Sequence, residues 1–278
     1  MQDPFDHCEQ VVREADKDRF FAALFAPANR RGPLFALYAF NSEVARVREA
    51  IRDPMAGELR LQWWRDALER PGSGEVRANP IASALLDTVI RFRLPVQSLI
   101  AVIEAREFDL YRDPMPTLAA LEAYADKTSS TLIDLAAMIL GARDSDLSPH
   151  LRRGGLAYAI TGLLRAFPLH AARGQLYVPL EILERHGAKP NDIFAGRATR
   201  EISVALAEMR RIARAHDDAY AQISPTIPPP VAPAFLPLSL VPLYLKRLER
   251  FGTKPFEIVD VPQWRRQWAL WRAARRIP

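Results

Sequence analysis

The sequence contains a single cysteine, Cys8, among 278 residues. One thiol cannot form an intramolecular disulfide, so a fold that depends on disulfides is excluded and a reducing compartment is indicated. Cys8 lies near the N-terminus, and a structural role is favoured over a role as a catalytic nucleophile. The sequence also has no Cys/His metal set, no glycine-rich phosphate loop and no G-x-S-x-G pattern. These absences argue against zinc domains, P-loop nucleotide hydrolases and α/β-hydrolases.

Long hydrophobic runs are absent as well. No stretch reaches about 18 apolar residues, and the nearest candidate, 231–245, is interrupted by three prolines, so no transmembrane span is predicted. The first ten residues include acidic side chains and no apolar segment, so no secretory signal is predicted. We therefore expect a cytoplasmic location, with peripheral attachment to the inner membrane as a further possibility.

The charge balance is only mildly basic. The chain has 38 basic and 33 acidic residues and a formal net charge of +5. This excess suits an anionic membrane surface or an acidic partner, and it is too small to indicate a nucleic-acid-binding protein. At 49% hydrophobic and 26% charged, the composition is that of a globular chain with a sizeable core.

Apolar residues recur at three- and four-residue spacing along most of the chain, and no segment shows sustained alternation. This pattern predicts an all-α protein. Residues 1–15 are predicted to be an N-terminal tail, 16–258 a single helical domain and 259–278 an amphipathic C-terminal helix. Within the domain we predict helices over 16–25, 34–52, 54–69, 81–91, 95–111, 117–140, from about 151, 199–222 and 235–251.

The segment 155–179 resembles the second signature of the squalene/phytoene synthase family. Four framework positions of that signature are kept, at Arg165, Gly174, Tyr177 and Pro179. Tyr38-Ala39-Phe40 resembles the start of the family's first signature, and the resemblance extends over about residues 16–250. It implies a helical bundle of the isoprenoid-synthase type.

In this family, two acidic motifs on facing helices hold Mg²⁺ ions that bind a prenyl diphosphate, which leaves as an anion. Most of these acids are missing here. The positions of the first motif read Asn41, Ala45, Arg46 and Glu49, and those of the second read Arg165, Ala166, Leu169 and His170. One remaining carboxylate cannot supply the oxygen ligands of a Mg²⁺ cluster. We therefore predict no metal site, no catalytic residue and no cofactor, with Mg²⁺ needed only if the protein is an enzyme after all.

The pattern of a kept framework with lost acids is similar to one subgroup of the family, the mitochondrial complex I assembly factor and its bacterial relatives. That resemblance implies a non-catalytic protein that assists assembly of respiratory complex I at the inner membrane surface. Complex I subunits or assembly intermediates would then be its partners. Two alternatives remain: a divergent prenyltransferase acting on isoprenyl diphosphates, or a protein that binds an isoprenoid or a phospholipid.

Arginines near the degenerate motifs suggest an anion-binding site without metal. Arg46, Arg165 and Arg173, with His170 beside them, could bind a phosphate group directly, because guanidinium groups bind phosphate in a bidentate manner. The alternative, which we favour, is that Arg46 pairs with Glu43 or Glu49 on its own helix and that Arg165 pairs with a nearby acid.

The C-terminal helix carries a tryptophan stripe. Trp264, Trp268 and Trp271 fall on one helix face, and arginines border that face, at 265, 266, 272 and 276. This arrangement is typical of a helix that lies at a membrane interface. Docking of the stripe on the domain's own core is the equally weighted alternative.

Overall fold

The structure is a computed structural model that describes residues 3–51, 53–71, 74–142 and 148–276. These residues form helices and turns, and no strand occurs among them, so the all-α prediction is confirmed. The α-helices are α1 (Pro4–Ala15), α2 (Lys17–Ala23), α3 (Ala28–Ala45), α4 (Val47–Ala50), α5 (Pro54–Glu69), α6 (Gly74–Ala78), α7 (Pro80–Phe92), α8 (Val96–Arg106), α9 (Leu118–Ala125), α10 (Thr131–Leu140), α11 (Ser148–Ala172), α12 (Leu180–Arg185), α13 (Pro190–Phe194), α14 (Arg200–Ile223), α15 (Val241–Arg250) and α16 (Gln263–Ala274). None of these helices is long and apolar enough to cross a lipid bilayer.

The predicted N-terminal tail contains a helix that belongs to the domain. The Asp3 side chain caps α1 by accepting a hydrogen bond from the amide of Phe5 at 2.9 Å. Cys8 and Val12 are fully buried on the inner face of α1, which packs against α3 and α7. Burial raises the pKa of the Cys8 thiol to about 12, which agrees with a structural role.

Helix α3 runs through the centre of the bundle. Its middle turns, 34–40, are buried all round, as expected for a helix with neighbours on every side. The sequence predicted that this helix would begin after Pro33 and continue to 52. It begins instead at Ala28, with Pro33 in its second turn, and it ends at Ala45 because Arg46 departs from helical geometry at φ −100° and ψ 4°.

Helix α11 is the second central helix, and glycine allows it to approach its neighbour closely. A Cβ atom at Gly155 would lie 2.1 Å from Oγ and 2.7 Å from Cα of Ser130. Ser130 ends a π-helical turn, Asp126–Ser130, that interrupts the predicted helix 117–140 between α9 and α10. The backbone of α11 therefore packs directly against this turn, which fixes the position of the second signature.

The buried side chains form one large cluster around α1, α3, α7 and α10 and another around α11, α14 and α15. The predicted helix 235–251 is divided into a 3₁₀ turn, Leu236–Leu240, and α15, in keeping with its prolines. A smaller cluster joins α2, α15 and α16. The C-terminal helix is therefore docked on the domain.

Candidate functional site

The two degenerate signatures meet at a surface cleft of about 490 Å³. Residues of α1, α3, α4 and α5 line it, together with Arg173 from the turn after α11. Because α3 ends at Ala45, the last acid of the first motif, Glu49, lies on the separate helix α4. There its carboxylate meets the guanidinium of Arg173, with Nη1 2.6 Å from Oε1. The fold thus joins the end of the first signature to the second one, 124 residues away.

The arginines and glutamates that line the cleft form ion pairs with one another. Arg46 lies on the other side of Glu49, with Nε 3.6 Å from Oε2, so one carboxylate faces two arginines. Arg60 of α5 reaches Glu43 at 3.1 Å. Three arginines against two glutamates leave a formal excess of one positive charge. The Arg46 side chain is 63% exposed, and ion pairs this exposed contribute only about 0–1 kcal/mol to stability.

This donor set does not fit a Mg²⁺–diphosphate site. Mg²⁺ requires several oxygen ligands, and the carboxylates that line the cleft, Glu43 and Glu49, are both engaged by arginines. Ala45 supplies no ligand, and the charge of Arg46 repels a divalent cation. Asn41, the remaining position of the first motif, is buried within α3. In the described ranges, no group of three or more His, Cys, Asp or Glu side chains is placed to hold a metal ion.

The second motif occupies the last turns of α11. Ala166 has no functional group, and Leu169 is exposed. His170 packs against the ring of Tyr177, with centroids 4.6 Å apart. Burial, together with the charge of Arg173, lowers the pKa of His170 to about 4 against the opposing effects of Asp109 and Glu49. His170 is therefore neutral at physiological pH and adds no positive charge to the cleft.

Arg165 lies away from the cleft, so the predicted trio of anion-binding arginines is split. Its guanidinium stacks on Tyr244 of α15, 3.6 Å from the ring centroid. The Tyr244 hydroxyl in turn donates a hydrogen bond to the Asp18 carboxylate. The structure places Arg46 and Arg173 together and Arg165 in a separate buried cluster. The Arg46–Glu49 pair is one of the two that the ion-pair alternative predicted, although Glu49 lies on α4 and Glu43 pairs with Arg60 instead. Arg165 contacts an aromatic ring rather than an acid.

The framework residues of the family have structural roles. Gly174 adopts φ +71°, a left-handed conformation that favours glycine, in the turn after α11. Pro179 is the N-cap residue of α12. Tyr38 is buried in α3, and Tyr177 donates a hydrogen bond of 2.6 Å to the Asp109 carboxylate. The segment that carries the second signature is thereby tied to the bundle.

Asp109 is a site residue that sequence reasoning missed. It follows Glu104 and Glu107 in the sequence, and its side chain is only 8% exposed. It pairs with Arg106 at 3.1 Å and accepts hydrogen bonds from Tyr124 and Tyr177. The spacing of three residues from Arg106 is a local signal for an ion pair, but the tyrosines arrive from distant segments. Arg60 was also missed, because its partner lies 17 residues away on another helix.

Between α3 and α11 the interior is filled by an arginine. Arg19 of α2 is paired with Asp16 at 2.8 Å, and its guanidinium lies 5.6 Å from the Tyr38 ring and 5.1 Å from the Tyr158 ring. The space that these residues enclose with Leu132 and their other neighbours is about 10 Å³. A cavity of that size holds about one water molecule. The facing helices are therefore sealed together at this level of the bundle.

Comparison with known proteins agrees with this geometry. A sequence model of the family described as squalene/phytoene synthase matches residues 12–272. The chain belongs to the squalene/phytoene synthase family. The family prediction made from the two signatures is thus confirmed.

Individual relatives include both assembly factors and synthases. The Rattus norvegicus protein named NADH dehydrogenase (ubiquinone) complex I, assembly factor 6 is 28% identical over 244 residues, which cover 88% of this chain and 73% of that protein. A phytoene synthase of Arthrospira platensis is 24% identical, covering 96% of this chain and 91% of that protein. The crystal structure of squalene synthase HpnC from Alicyclobacillus acidocaldarius superimposes with a TM-score of 0.77 at 25% identity, covering 91% of this chain and 95% of that chain.

Proposed function

We propose that this family member assists the assembly of respiratory complex I and does not catalyse prenyl transfer. The observation that carries the proposal is the cleft, where the acids expected of a Mg²⁺ site are replaced and the remaining Glu49 is shared by Arg46 and Arg173. The similarity to proteins named as complex I assembly factors supports the choice of complex I assembly as the role. Complex I subunits or assembly intermediates would be the partners.

The chemistry of prenyl condensation explains why the cleft argues against catalysis. A diphosphate must be neutralised as it leaves, and in this family that charge is met by Mg²⁺ bound to carboxylates. In the cleft, Arg46 and Arg173 both already face Glu49. A bound diphosphate would have to compete with that carboxylate for both guanidinium groups. The site therefore offers weak anion binding rather than a preorganised site for a leaving group.

The small space around Arg19 argues in the same direction. A prenyl chain needs an apolar channel beside the diphosphate, and ligand sites of this kind have volumes of several hundred Å³. At the level of Tyr38 and Tyr158 the space left around Arg19 is about 10 Å³. A buried guanidinium is also a poor lining for a hydrocarbon chain. A long isoprenoid could not extend past this point without displacing Arg19.

Two measurements test the proposal. In a deletion strain of the source organism, we expect less assembled complex I on native gels and less NADH oxidation by membranes, with both restored by the wild-type gene. The Glu49→Gln variant should restore them as well, because the ion pairs of Glu49 are exposed and weak. An unchanged level of complex I in the deletion strain would refute the assembly role.

Catalysis is tested separately with purified protein. The protein is incubated with farnesyl or geranylgeranyl diphosphate, Mg²⁺ and reduced nicotinamide cofactor, and the extract is searched for C30 and C40 products. We expect none. A Mg²⁺-dependent product that disappears in the Glu49→Gln variant would show that the cleft is catalytic and would overturn the non-catalytic part of the proposal.

A further inference from the structure

The C-terminal helix α16 is held on the domain by one face. Leu270 is fully buried in the cluster formed with α2 and α15. Beside it, Nη1 of Arg266 lies 2.7 Å from the carboxylate of Asp18, and both side chains are nearly buried at 14% and 8% exposure. The same carboxylate accepts the hydrogen bond from Tyr244. Arg266, which the sequence placed on the border of the tryptophan stripe, is therefore part of the docked face.

The tryptophan stripe points the other way. Trp264 is 63% exposed, Trp268 55% and Trp271 39%. Trp268 and Trp271 stack on each other at 4.9 Å, and arginines lie over the ends of the stripe, Arg265 on Trp264 and Arg275 on Trp271. The alternative in which the stripe docks on the domain's own core is thus contradicted, because Leu270 takes that place. The domain leaves an ordered row of three indole rings facing outward.

A basic groove runs along one flank of this row. It has a volume of about 500 Å³ and lies between α16 and Leu243 of α15. Three arginines line it, at 265, 272 and 276, which recur at seven- and four-residue spacing and so share one side of the helix. The groove lining contains no acidic residue, and neither does the sequence from 263 to 276. Apolar and cationic surfaces therefore lie next to each other along the full length of α16.

We propose that this surface, Trp264, Trp268 and Trp271 with the arginine flank, binds the surface of a bilayer that contains anionic phospholipids. Indole rings are favoured at the level of the lipid headgroups, where their apolar body and polar N–H are both accommodated. Guanidinium groups beside them bind lipid phosphates in a bidentate manner. The mixture of apolar rings and unopposed positive charge suits a lipid surface better than an apolar protein surface. The proposal does not depend on the role in complex I assembly.

Flotation with vesicles tests the proposal on the purified, full-length protein. We expect the protein to float with vesicles that contain phosphatidylcholine and phosphatidylglycerol, and to stay at the bottom with phosphatidylcholine alone. Higher salt should weaken binding, because the phosphate contacts are exposed and screened. Brominated lipids should quench tryptophan fluorescence. Free inorganic phosphate at millimolar concentration should not release the protein, since it offers no apolar interface.

Variants separate the two parts of the surface. Trp264→Ala with Trp268→Ala should lower the partition coefficient by about tenfold or more, through loss of apolar contact. Arg265→Gln with Arg272→Gln should lower it by about thirtyfold, if each arginine near an anionic surface contributes about 1 kcal/mol. Matched controls on other exposed sites, Ile90→Ala at 72% exposure and Arg70→Gln with a 78% exposed side chain, should bind as the wild type does.

Three outcomes would overturn the proposal. The first is a wild-type protein that binds neither kind of vesicle, as expected if this face instead contacts a protein partner. The second is equal binding to both kinds of vesicle, which would remove the role of the arginines. The third is unchanged binding by the tryptophan and arginine variants whose circular dichroism spectra show native folding. Because these variants change only exposed side chains, we expect all of them to fold.

Discussion

Replacing Asp109 by alanine should destabilise the domain more than any change in the cleft. The Asp109 carboxylate is 8% exposed and is the acceptor for Arg106 and for two tyrosine hydroxyls, those of Tyr124 and Tyr177. Burial, followed by the charge of Asp109, raises the pKa of Tyr177, so its hydroxyl stays protonated and donates. The carboxylate thus joins α8, α9 and the segment after α11.

The expected loss of stability follows from the buried, unpaired charge that Asp109→Ala leaves on Arg106. Arg106 keeps a hydrogen bond of 2.7 Å to the Tyr124 oxygen but loses its counterion, while its side chain is only 17% exposed. Removing one partner of a buried ion pair costs about 3–5 kcal/mol. We expect about 4 kcal/mol for Asp109→Ala and about 2 kcal/mol for Asp109→Asn, which keeps the shape of the side chain and loses the charge.

Chemical denaturation followed by circular dichroism measures these values. Asp113→Ala is the matched control, because Asp113 is exposed four residues further on, and it should stay within about 0.5 kcal/mol of the wild type. In a double-mutant cycle, Arg106→Met with Asp109→Leu should be at least about 2 kcal/mol less destabilising than the sum of the single changes. A coupling energy below about 0.5 kcal/mol would show that the pair is not buried and coupled as described.

Three further predictions concern single sites. Cys8 should be unreactive toward Ellman's reagent in the native protein and react fully in denaturant, since burial raises its pKa to about 12; rapid native labelling would contradict this. Gly155→Ala should destabilise the protein by about 2–3 kcal/mol, because the added Cβ would clash with Ser130. Gly162→Ala, with open space around it, should stabilise by up to about 1 kcal/mol. Equal shifts in melting temperature for the two variants would contradict the close contact between Gly155 and Ser130. For His170 the folded pKa of about 4 lies below the ordinary histidine value of 6.5, so stability is lost as pH falls between these values, by about 2 kcal/mol from pH 7 to 5. His170→Asn should flatten that dependence in denaturation midpoints, and an unchanged slope would contradict it.

The helical fold was predictable because its signals are local. Three- and four-residue apolar spacing and the lack of alternation predict α-helices without knowledge of neighbours. The positions of the helix ends depend on contacts with other helices as well as on local signals. Pro33 suggested a helix start but lies in the second turn of α3, beyond the first turn in which a missing amide costs no hydrogen bond. The burial of the turns that follow outweighs that loss. The helix α1 was missed because its inner face consists of few residues, Cys8 and Val12 among them.

The anion-binding group was predicted only in part. The resemblance grouped Arg46, Arg165 and Arg173, and the structure brings Arg46 and Arg173 together on either side of Glu49. Arg165 shares the signature with Arg173 but lies eight residues earlier on α11, and its guanidinium stacks on Tyr244 instead. Which neighbour a side chain reaches depends on tertiary packing, and that information is not carried by spacing within one helix.

The tryptophan stripe also shows that spacing within one helix does not determine its tertiary contacts. Periodicity identified one apolar face on the C-terminal helix, but it could not tell whether that face is docked. The docked face proves to be the smaller one, with Leu270 and alanines at 269, 273 and 274, where small side chains let α16 approach the domain. The charge of Arg266 is matched by Asp18, a partner 248 residues away. A large apolar face is therefore not always the buried one.

The kept and the lost residues of the family signatures differ in a physically consistent way. Gly174 forms a turn, and Tyr177 donates a hydrogen bond to the buried Asp109, so a change at either signature residue would destabilise the fold itself. Arg46 and Glu49 are exposed, and their interactions contribute little to stability, so these positions can change without loss of the bundle. A position such as 46 can therefore differ from the family signature without loss of the bundle. A kept framework can in this way accompany a cleft whose residues do not fit a Mg²⁺ cluster.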